Sequence, residues 1–210
     1  YWISQKLEAK KILITVPSLA LVRQTLSAWT RESAANGVGL DWIAVCSDED
    51  VKNSDDPSMR TTDIGIIVTT STQEVVDFLT KAPSGIQVVI TTYQSGERIS
   101  EASKGLSFVF DLAIYDEAHK TVGHSSKKFA HLLYDENLLV KKRLFMTATE
   151  RLFKGDSTEF LSMDDPNIYG PLIDVLSFKS ALQQNPPILS DYKVVSVIIK
   201  KSDIEQLIEE

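Results

Sequence analysis

The sequence predicts an α/β fold built on a mainly parallel sheet with helices on both faces. Short apolar segments alternate with longer amphipathic ones, which is the order expected of repeated strand–helix–strand units. Several apolar segments, such as Lys11–Val16 and Gln87–Thr91, are nearly continuous in Ile, Val and Leu, as strands covered on both faces should be. Polar residues follow these segments directly, where open parallel sheets bind their ligands.

Taken in order, the apolar segments predict strands at Lys11–Val16, Asp41–Cys46, Ile64–Thr69, Gln87–Thr91, Phe108–Tyr115, Arg143–Thr147 and Tyr192–Ile199. The segments between them predict helices at Tyr1–Ala9, Leu19–Ser33, Thr72–Ala82, Gly96–Lys104, Lys127–Tyr134 and Phe178–Gln184. In the third helix apolar residues recur at helical spacing, and Ser71 or Thr72 is placed to cap its start. The polar, acidic stretch 47–62 and the Gly- and Pro-containing stretch 150–171 predict loops.

Composition limits the classes of protein to consider. A length of 210 residues predicts one domain, or one domain and part of another. No apolar run reaches the length of a membrane span, and a single cysteine, Cys46, excludes an internal disulfide framework. Cys46 is expected in the core at a strand end, and a cytoplasmic location is expected. The net charge of −7 argues against coating nucleic acid by bulk charge, but not against gripping it in a local groove.

The sequence Asp116-Glu117-Ala118-His119 is the strongest indication of chemistry. It follows directly on the apolar segment Phe108–Tyr115. Two adjacent carboxylates at the end of a buried strand suit nucleotide hydrolysis, since one holds Mg²⁺ through its waters and the other orients the attacking water. A solvent-facing acidic turn is the alternative for these residues taken alone.

Four segments in order resemble the first RecA-like domain of DEAH-type superfamily-two helicases and translocases. Val16–Gln24 resembles motif Ia, Thr91–Ser95 a later nucleic-acid-contacting segment, Asp116–His119 motif II, and Thr147–Thr149 motif III. Within that group the chain is most similar to bacterial predicted helicases and to the motor subunits of restriction enzymes. The resemblance implies a RecA-like P-loop NTPase fold, ATP and Mg²⁺ as cofactors, and DNA as a partner.

The resemblance also assigns roles at the hydrolytic centre. Asp116 would hold Mg²⁺ through water, and Glu117 would polarise the attacking water. His119 would link the nucleotide site to the hydroxyls of Thr147 and Thr149, which would couple nucleotide state to the nucleic-acid face. Without the resemblance, His119 would be interpreted as a surface or capping residue, and the two threonines as an ordinary strand end.

Candidate nucleic-acid contacts lie where two strands give way to helices, namely Pro17, Ser18 and Gln24 at the first junction and Thr91, Thr92, Gln94 and Ser95 at the second. The first N–H groups of a helix attract phosphate, and the resemblance implies that these residues contact the backbone of duplex DNA, independently of base sequence. Helix capping is the structural alternative, and both can hold together. Tyr93 is expected in the core, with base stacking as the alternative.

The sequence contains no G-x-x-x-x-G-K-[ST] phosphate loop, which the family carries just upstream of motif Ia. We therefore expect a fragment with residues 1–190 as the first RecA-like domain and 191–210 as a linker or the start of the second. The second RecA-like domain would complete the site, and little or no ATPase activity is expected of the fragment alone.

Other classes of function fit parts of the sequence. A catalytically silent nucleic-acid-binding or scaffolding module would keep the fold, but the intact acidic pair argues against it. An unrelated phosphate-binding α/β enzyme would require the four ordered motifs to be accidental. A zinc site at His119, His124 and His131 lacks a second cysteine and sits in a polar context that does not suit a closed structural site.

Overall fold

The structure is a computed structural model that describes residues 1–46, 65–124, 128–153 and 160–190. The chain divides into two compact units, Tyr1–Gly170 and Pro171–Glu210. The strand predicted at Tyr192–Ile199 and the loop predicted at 47–62 lie outside the described residues. The family-domain boundary expected at residue 190 stays a prediction, because a division into compact units does not test it.

The described residues form seven strands, β1 Lys11–Val16, β2 Leu40–Val45, β3 Ile86–Thr92, β4 Phe110–Tyr115, β5 Gly123–His124, β6 Val140–Phe145 and β7 Phe160–Leu161. Five of them make one sheet in the order β2-β3-β1-β4-β6, and every neighbouring pair in it is parallel. Strands β5 and β7 form a separate antiparallel pair. The predicted parallel sheet is confirmed.

The α-helices of the described residues are α1 Trp2–Lys6, α2 Leu19–Ala35, α3 Thr72–Thr80, α4 Gly96–Gly105, α5 Pro166–Tyr169 and α6 Phe178–Gln183. In the same part of the chain, 3₁₀ helices occupy Tyr93–Ser95, Ala118–Thr121 and Lys128–Leu133. Ser71 caps α3 by accepting the N–H of Glu74, as the sequence predicts. Across the part of the chain that the structure describes, no helix is both long and apolar enough to cross a membrane.

Both faces of the sheet are covered, as predicted. On one face Leu13 and Val89 pack in a cluster with residues of α3 and α4, including Leu79 and Ile99. On the other face Ile12, Ile14 and Val88 pack with Val22, Leu26 and Trp29 of α2. This double burial explains why the central strands are nearly continuous in apolar residues instead of alternating between apolar and polar ones. Cys46 is fully buried directly after β2, which confirms its expected place in the core.

The prediction of a strand at Ile64–Thr69 is wrong for its described residues. Only Thr69 pairs with the sheet, through a single parallel bridge to Val45 of the edge strand β2. Ile67 is 87% exposed, whereas Ile66 and Val68 pack partly against the core. The apolar pattern therefore records partial burial beside a sheet edge and not a further strand.

Other predicted elements also differ from the observed ones, and the first helix ends at Lys6 instead of Ala9. Strand β6 begins at Val140 instead of residue 143, because it is an edge strand on which Lys141 and Lys142 can stay exposed. Strand β4 begins at Phe110 instead of residue 108, after Ser107 takes a positive φ of 50°. The helix predicted over 127–134 is a 3₁₀ helix at Lys128–Leu133.

Candidate active site

The acidic turn, residues Asp116–His119, lies at the carboxyl end of β4, between β1 and β6. Its backbone is tied to both neighbours. The N–H of Asp116 donates to the Thr15 carbonyl of β1 at 2.9 Å, and the N–H of Ala118 donates to the Met146 carbonyl just after β6 at 2.9 Å. The Met146 N–H in turn donates to the Tyr115 carbonyl at 2.9 Å. The position of the turn is thus set by the parallel sheet.

Glu117 adopts a left-handed backbone conformation, with φ 51° and ψ 45°. This region is disfavoured for residues with a side chain and costs of order 1 kcal/mol, so surrounding contacts must hold it. Three hydrogen bonds do so. Tyr93 Oη donates to the Asp116 carbonyl at 2.7 Å, the Glu117 N–H donates to Asp116 Oδ1 at 3.0 Å, and the Lys120 N–H donates to the Glu117 carbonyl at 2.9 Å. These contacts hold the two consecutive carboxylates in a fixed turn directly after the end of β4.

Asp116 lies in a half-buried, electronegative position. Burial raises the pKa of its carboxyl group above the ordinary value, the hydrogen bond from the Glu117 N–H partly offsets this rise, and the negative charge of Glu117 adds to it. A carboxylate whose charged form is disfavoured in this way gains when a cation arrives. The electrostatics of the turn therefore favour binding of a positive ion.

His119 connects Glu117 to the end of β6. Its Nδ1 lies 2.9 Å from Thr147 Oγ1 and 3.2 Å from Glu117 Oε2. The Thr147 hydroxyl donates to the Thr149 carbonyl at 2.9 Å, so its oxygen accepts from His119 and the Nδ1 atom carries a hydrogen. The imidazole side chain is 13% exposed and that of Glu117 37%, so the pair forms a shielded link beside an accessible carboxylate.

Thr149 contacts the Thr147 hydroxyl through its backbone and not through its own hydroxyl. Its side chain is exposed, and its N–H donates to Thr147 Oγ1 at 3.1 Å while its carbonyl accepts from the same hydroxyl. The two threonines thus form one closed turn that fixes the hydroxyl facing His119. The structure brings together Asp116, Glu117, His119 and Thr147, with Thr149 supporting the last of them.

The donor set suits Mg²⁺ held mainly through water. Magnesium keeps several waters and binds proteins through one or two carboxylates together with substrate phosphates. Asp116 meets this requirement, with Glu117 next to it. Among the described residues there is no group of three or more His, Cys, Asp or Glu side chains that would form an all-protein metal site.

The first candidate nucleic-acid junction, between β1 and α2, is partly open. Pro17 is buried, Ser18 is half-buried, and Gln24 is exposed one turn into α2. Ser18 Oγ caps the helix by accepting the Leu21 N–H at 3.4 Å, so the capping alternative holds for this residue. The start of α2 and Gln24 remain positions where a phosphate can approach.

The second junction, between β3 and α4, is packed. The side chains of Thr91, Thr92 and Ser95 are fully buried, and Thr91 Oγ1 donates to the Val45 carbonyl at 2.9 Å. Gln94 is half-buried, and neither polar atom of its amide has a hydrogen-bond partner among the described residues. Both of these amide atoms are also buried, so the junction presents none of the side-chain polar groups of Thr91, Thr92, Gln94 and Ser95 on the surface.

Sequence reasoning missed several residues that hold the acidic turn. Tyr93 is in the core, as expected, with its ring stacked on Phe129 at 5.3 Å, but its hydroxyl reaches the Asp116 carbonyl. Thr121 Oγ1 donates to the Ala118 carbonyl at 2.7 Å and lies 2.7 Å from Tyr169 Oη, which therefore donates to it. Thr121 could have been predicted from its position directly after the motif. Tyr169 could not, because no neighbouring sequence feature indicates its contact with the turn.

Comparison with known proteins gives the family. Residues 1–152 match the family described as "Type III restriction enzyme, res subunit". The chain belongs to this family. The resemblance to restriction-enzyme motor subunits is thereby confirmed, because the match covers more than half of the chain and includes the acidic turn and the end of β6.

Curated relatives of this family member are viral. The chain is 32% identical over 142 residues to "Probable helicase A859L" of African swine fever virus, a match that covers 67% of this chain and 14% of the relative. The same protein from another isolate is 31% identical over 145 residues. The chain therefore spans about one seventh of the length of these relatives.

Two solved structures share the fold. One is a nuclease-deletion mutant of the Type ISP restriction-modification enzyme LlaGI in complex with a DNA substrate mimic, with 35% identity and a TM-score of 0.64 over 87% of this chain and 14% of that one. The other is the ATP-dependent Type ISP enzyme LlaBIII bound to DNA, with 31% identity and a TM-score of 0.68 over 88% and 12%. These matches confirm the RecA-like fold of the helicase type.

Proposed function

We propose that this chain is the motor domain carrying the hydrolytic carboxylates of an ATP-dependent DNA helicase or translocase of the restriction-enzyme type. The observation that carries the proposal is the joining of Asp116, Glu117, His119 and Thr147 at the carboxyl ends of two neighbouring parallel strands. Membership of the family and the names of the relatives support the same class of activity.

In this proposal Asp116 holds Mg²⁺ through water, and Glu117 accepts a hydrogen bond from the water that attacks the γ-phosphate. Bound Mg²⁺ neutralises charge on the phosphates. Glu117 is the more accessible partner, and its carboxylate can reach a water without leaving its contact with His119. His119 keeps that carboxylate in place from the side of β6 and passes changes there to Thr147 and Thr149.

DNA, proposed to be duplex and bound through its backbone, would lie along the β1–α2 and β3–α4 junctions. Gln24 and the capped start of α2 offer direct contacts, whereas the amide of Gln94 is buried without a hydrogen-bond partner among the described residues and would have to turn outward to reach DNA. A second RecA-like domain of a longer chain would close the nucleotide site. A cytoplasmic location belongs to the same proposal.

The test is Mg²⁺-dependent ATP hydrolysis by the full-length protein that carries this domain, with and without duplex DNA. Turnover stimulated by DNA is expected, and Glu117→Gln is expected to reduce it at least a hundredfold, since loss of a group acting in the transition state costs about 3 kcal/mol or more. Glu136→Gln removes an equal charge at an exposed position and serves as the matched control.

The outcomes separate the candidate functions. Full activity in Glu117→Gln would show that Glu117 takes no part in ATP hydrolysis. A folded wild-type protein that binds DNA but hydrolyses no ATP would favour the silent nucleic-acid-binding module instead. The 210 residues contain no phosphate loop, and we propose that the isolated chain has little or no ATPase activity.

A further inference from the structure

Tyr93 touches both parts of the proposed machinery. It follows β3 directly and begins the 3₁₀ helix Tyr93–Ser95, so its backbone belongs to the β3–α4 junction. Its side chain is 2% exposed and stacks on Phe129, with the ring planes 21° apart. Its hydroxyl donates to the Asp116 carbonyl at 2.7 Å, which places the end of this side chain against the acidic turn.

This hydrogen bond holds one particular peptide group, the one between Asp116 and Glu117. The carbonyl of that peptide accepts from Tyr93, and its N–H donates to Asp116 Oδ1. Both of its polar ends are therefore engaged. Glu117 keeps its left-handed conformation only while this peptide keeps its orientation, because φ of Glu117 is the rotation about the bond that follows it.

The tyrosine hydroxyl is a permanent donor. Burial raises the pKa of Tyr93 well above its ordinary value, and the nearby Tyr115 and Asp116 raise it further. The hydroxyl therefore stays protonated throughout the pH range in which proteins work. Its hydrogen bond changes only if the β3–α4 junction moves relative to β4.

We propose that Tyr93 is a positioning residue that sets the direction of Glu117 and transmits engagement of nucleic acid at Thr91–Ser95 to the acidic turn. This inference rests on the proposed function. Gln94, the next residue, has a buried amide with no hydrogen-bond partner among the described residues, so an outward turn of this amide toward nucleic acid would act one residue from the tyrosine. A shift of the junction moves the tyrosine hydroxyl, and with it the Asp116–Glu117 peptide that the hydroxyl holds.

The chain offers a matched control in Tyr115. Its hydroxyl is also buried and also donates to a backbone carbonyl at 2.7 Å, but the acceptor is Leu132 and not the acidic turn. Phenylalanine at either position keeps the stacked ring, against Phe129 for Tyr93 and against Phe145 for Tyr115. Each change removes one hydrogen bond to a backbone carbonyl, and Tyr115→Phe also removes an interaction with Arg143, so the structural cost of the control should be similar or slightly larger.

The experiment compares Tyr93→Phe and Tyr115→Phe in the full-length protein, with Glu117→Gln as the reference for loss of chemistry. We expect Tyr93→Phe to lower kcat of DNA-stimulated hydrolysis on the order of tenfold, with KM for ATP changed by less than about twofold, since misplacing a reacting group affects the transition state and not ground-state binding. Basal turnover should fall less, so the stimulation ratio should drop. Both variants should melt only a few degrees lower, by about the same amount.

A second variant guards against a purely structural effect. Phe129→Leu keeps the tyrosine hydroxyl but loosens the ring it stacks on, and a smaller fall in the stimulation ratio is expected. Equal kinetics for Tyr93→Phe and Tyr115→Phe, or a raised KM with kcat intact, would overturn the positioning role while leaving the proposed function in place. Absence of wild-type turnover would overturn both.

Discussion

Strand β4 carries a carboxylate near each end, and the two have opposite surroundings. Asp111, near the amino end, accepts the N–H groups of Lys10 and Lys11 on Oδ2 at 3.0 and 2.9 Å and the ammonium of Lys141 on Oδ1 at 2.7 Å. Asp116, just past the carboxyl end, accepts one backbone N–H and lies beside Glu117. One carboxylate is fully supplied with donors, and the other shares its surroundings with a second negative charge.

The pKa values of the two groups differ in direction accordingly. Burial pushes the pKa of Asp111 upward, but hydrogen bonds from Lys141 and from the N–H groups of Lys11 and Lys10 outweigh it, so the pKa is lowered. Burial raises the pKa of Asp116, and the charge of Glu117 adds to the rise despite the Glu117 N–H. An aspartate of β4 is therefore structural where hydrogen-bond donors surround it, as at Asp111. An aspartate without enough donors, as at Asp116, is suited to binding a cation.

Substitutions at the two carboxylates should differ most in their effect on ATP hydrolysis. Asp116→Asn removes the charge proposed to hold Mg²⁺ and should lower Mg²⁺-dependent ATP hydrolysis by the full-length protein on the order of a hundredfold or more, since a bound metal supplies several kcal/mol to the transition state. Asp111→Asn should keep activity within about threefold when assayed below its melting temperature, because it alters only the far end of the strand. Equal losses in both would erase the distinction.

For stability the order of the two carboxylates reverses, and the change at Asp111 should have the larger effect. Asp111→Ala leaves two backbone N–H groups and an ammonium without their acceptor, and should reduce the free energy of unfolding by about 2 kcal/mol. Asp116→Asn should leave the free energy of unfolding unchanged or slightly higher, because it relieves the repulsion from Glu117 and keeps an oxygen to accept the Glu117 N–H. Urea denaturation of both variants measures the difference, and destabilisation by Asp116→Asn would contradict it.

The pH dependence of stability provides the third effect. The folded pKa of Asp111 lies below the unfolded value of about 3.8, so its stabilising effect is complete above that value and is lost as the pH falls through the folded pKa. For Asp116 the folded pKa is raised, so its ionisation costs stability as the pH rises from about 3.8 through the folded value. The destabilisation caused by Asp111→Asn should therefore be largest near neutral pH and shrink toward pH 3, as measured by urea unfolding at both values.

Much of this arrangement is visible in the sequence, and what is missed has a physical reason. Strands β1 and β3 were predicted nearly to their ends, since strands that are buried on both faces are nearly continuous in apolar residues. The start of β6 was not, because an edge strand tolerates Lys141 and Lys142. The stretch ending at Thr69 was misassigned because partial burial beside the sheet imitates a strand.

The residues of the site also fall into those that the sequence predicted and those that it did not. The motif pattern predicted Asp116, Glu117, His119 and Thr147, and the geometry joins these residues, while their functional roles stay a proposal. The left-handed Glu117 and the support from Tyr93 were not predictable, because they depend on a side chain 23 residues away in the sequence. Asp111 gave no signal either, since its partners at Lys10 and Lys11 are 100 residues or more distant.

The smallest effect is expected for loss of a single donor to Asp111, the ammonium group of Lys141. The ammonium of Lys141 lowers the pKa of Asp111 more than either backbone N–H does, yet the Lys141 side chain is 65% exposed, so water and salt screen its charge. Lys141→Met should reduce the free energy of unfolding by less than about 1 kcal/mol, and the loss should shrink in high salt. A loss in urea denaturation as large as that of Asp111→Ala would mean that the ion pair, and not the two rigid backbone donors of β1, holds the amino end of β4 in place.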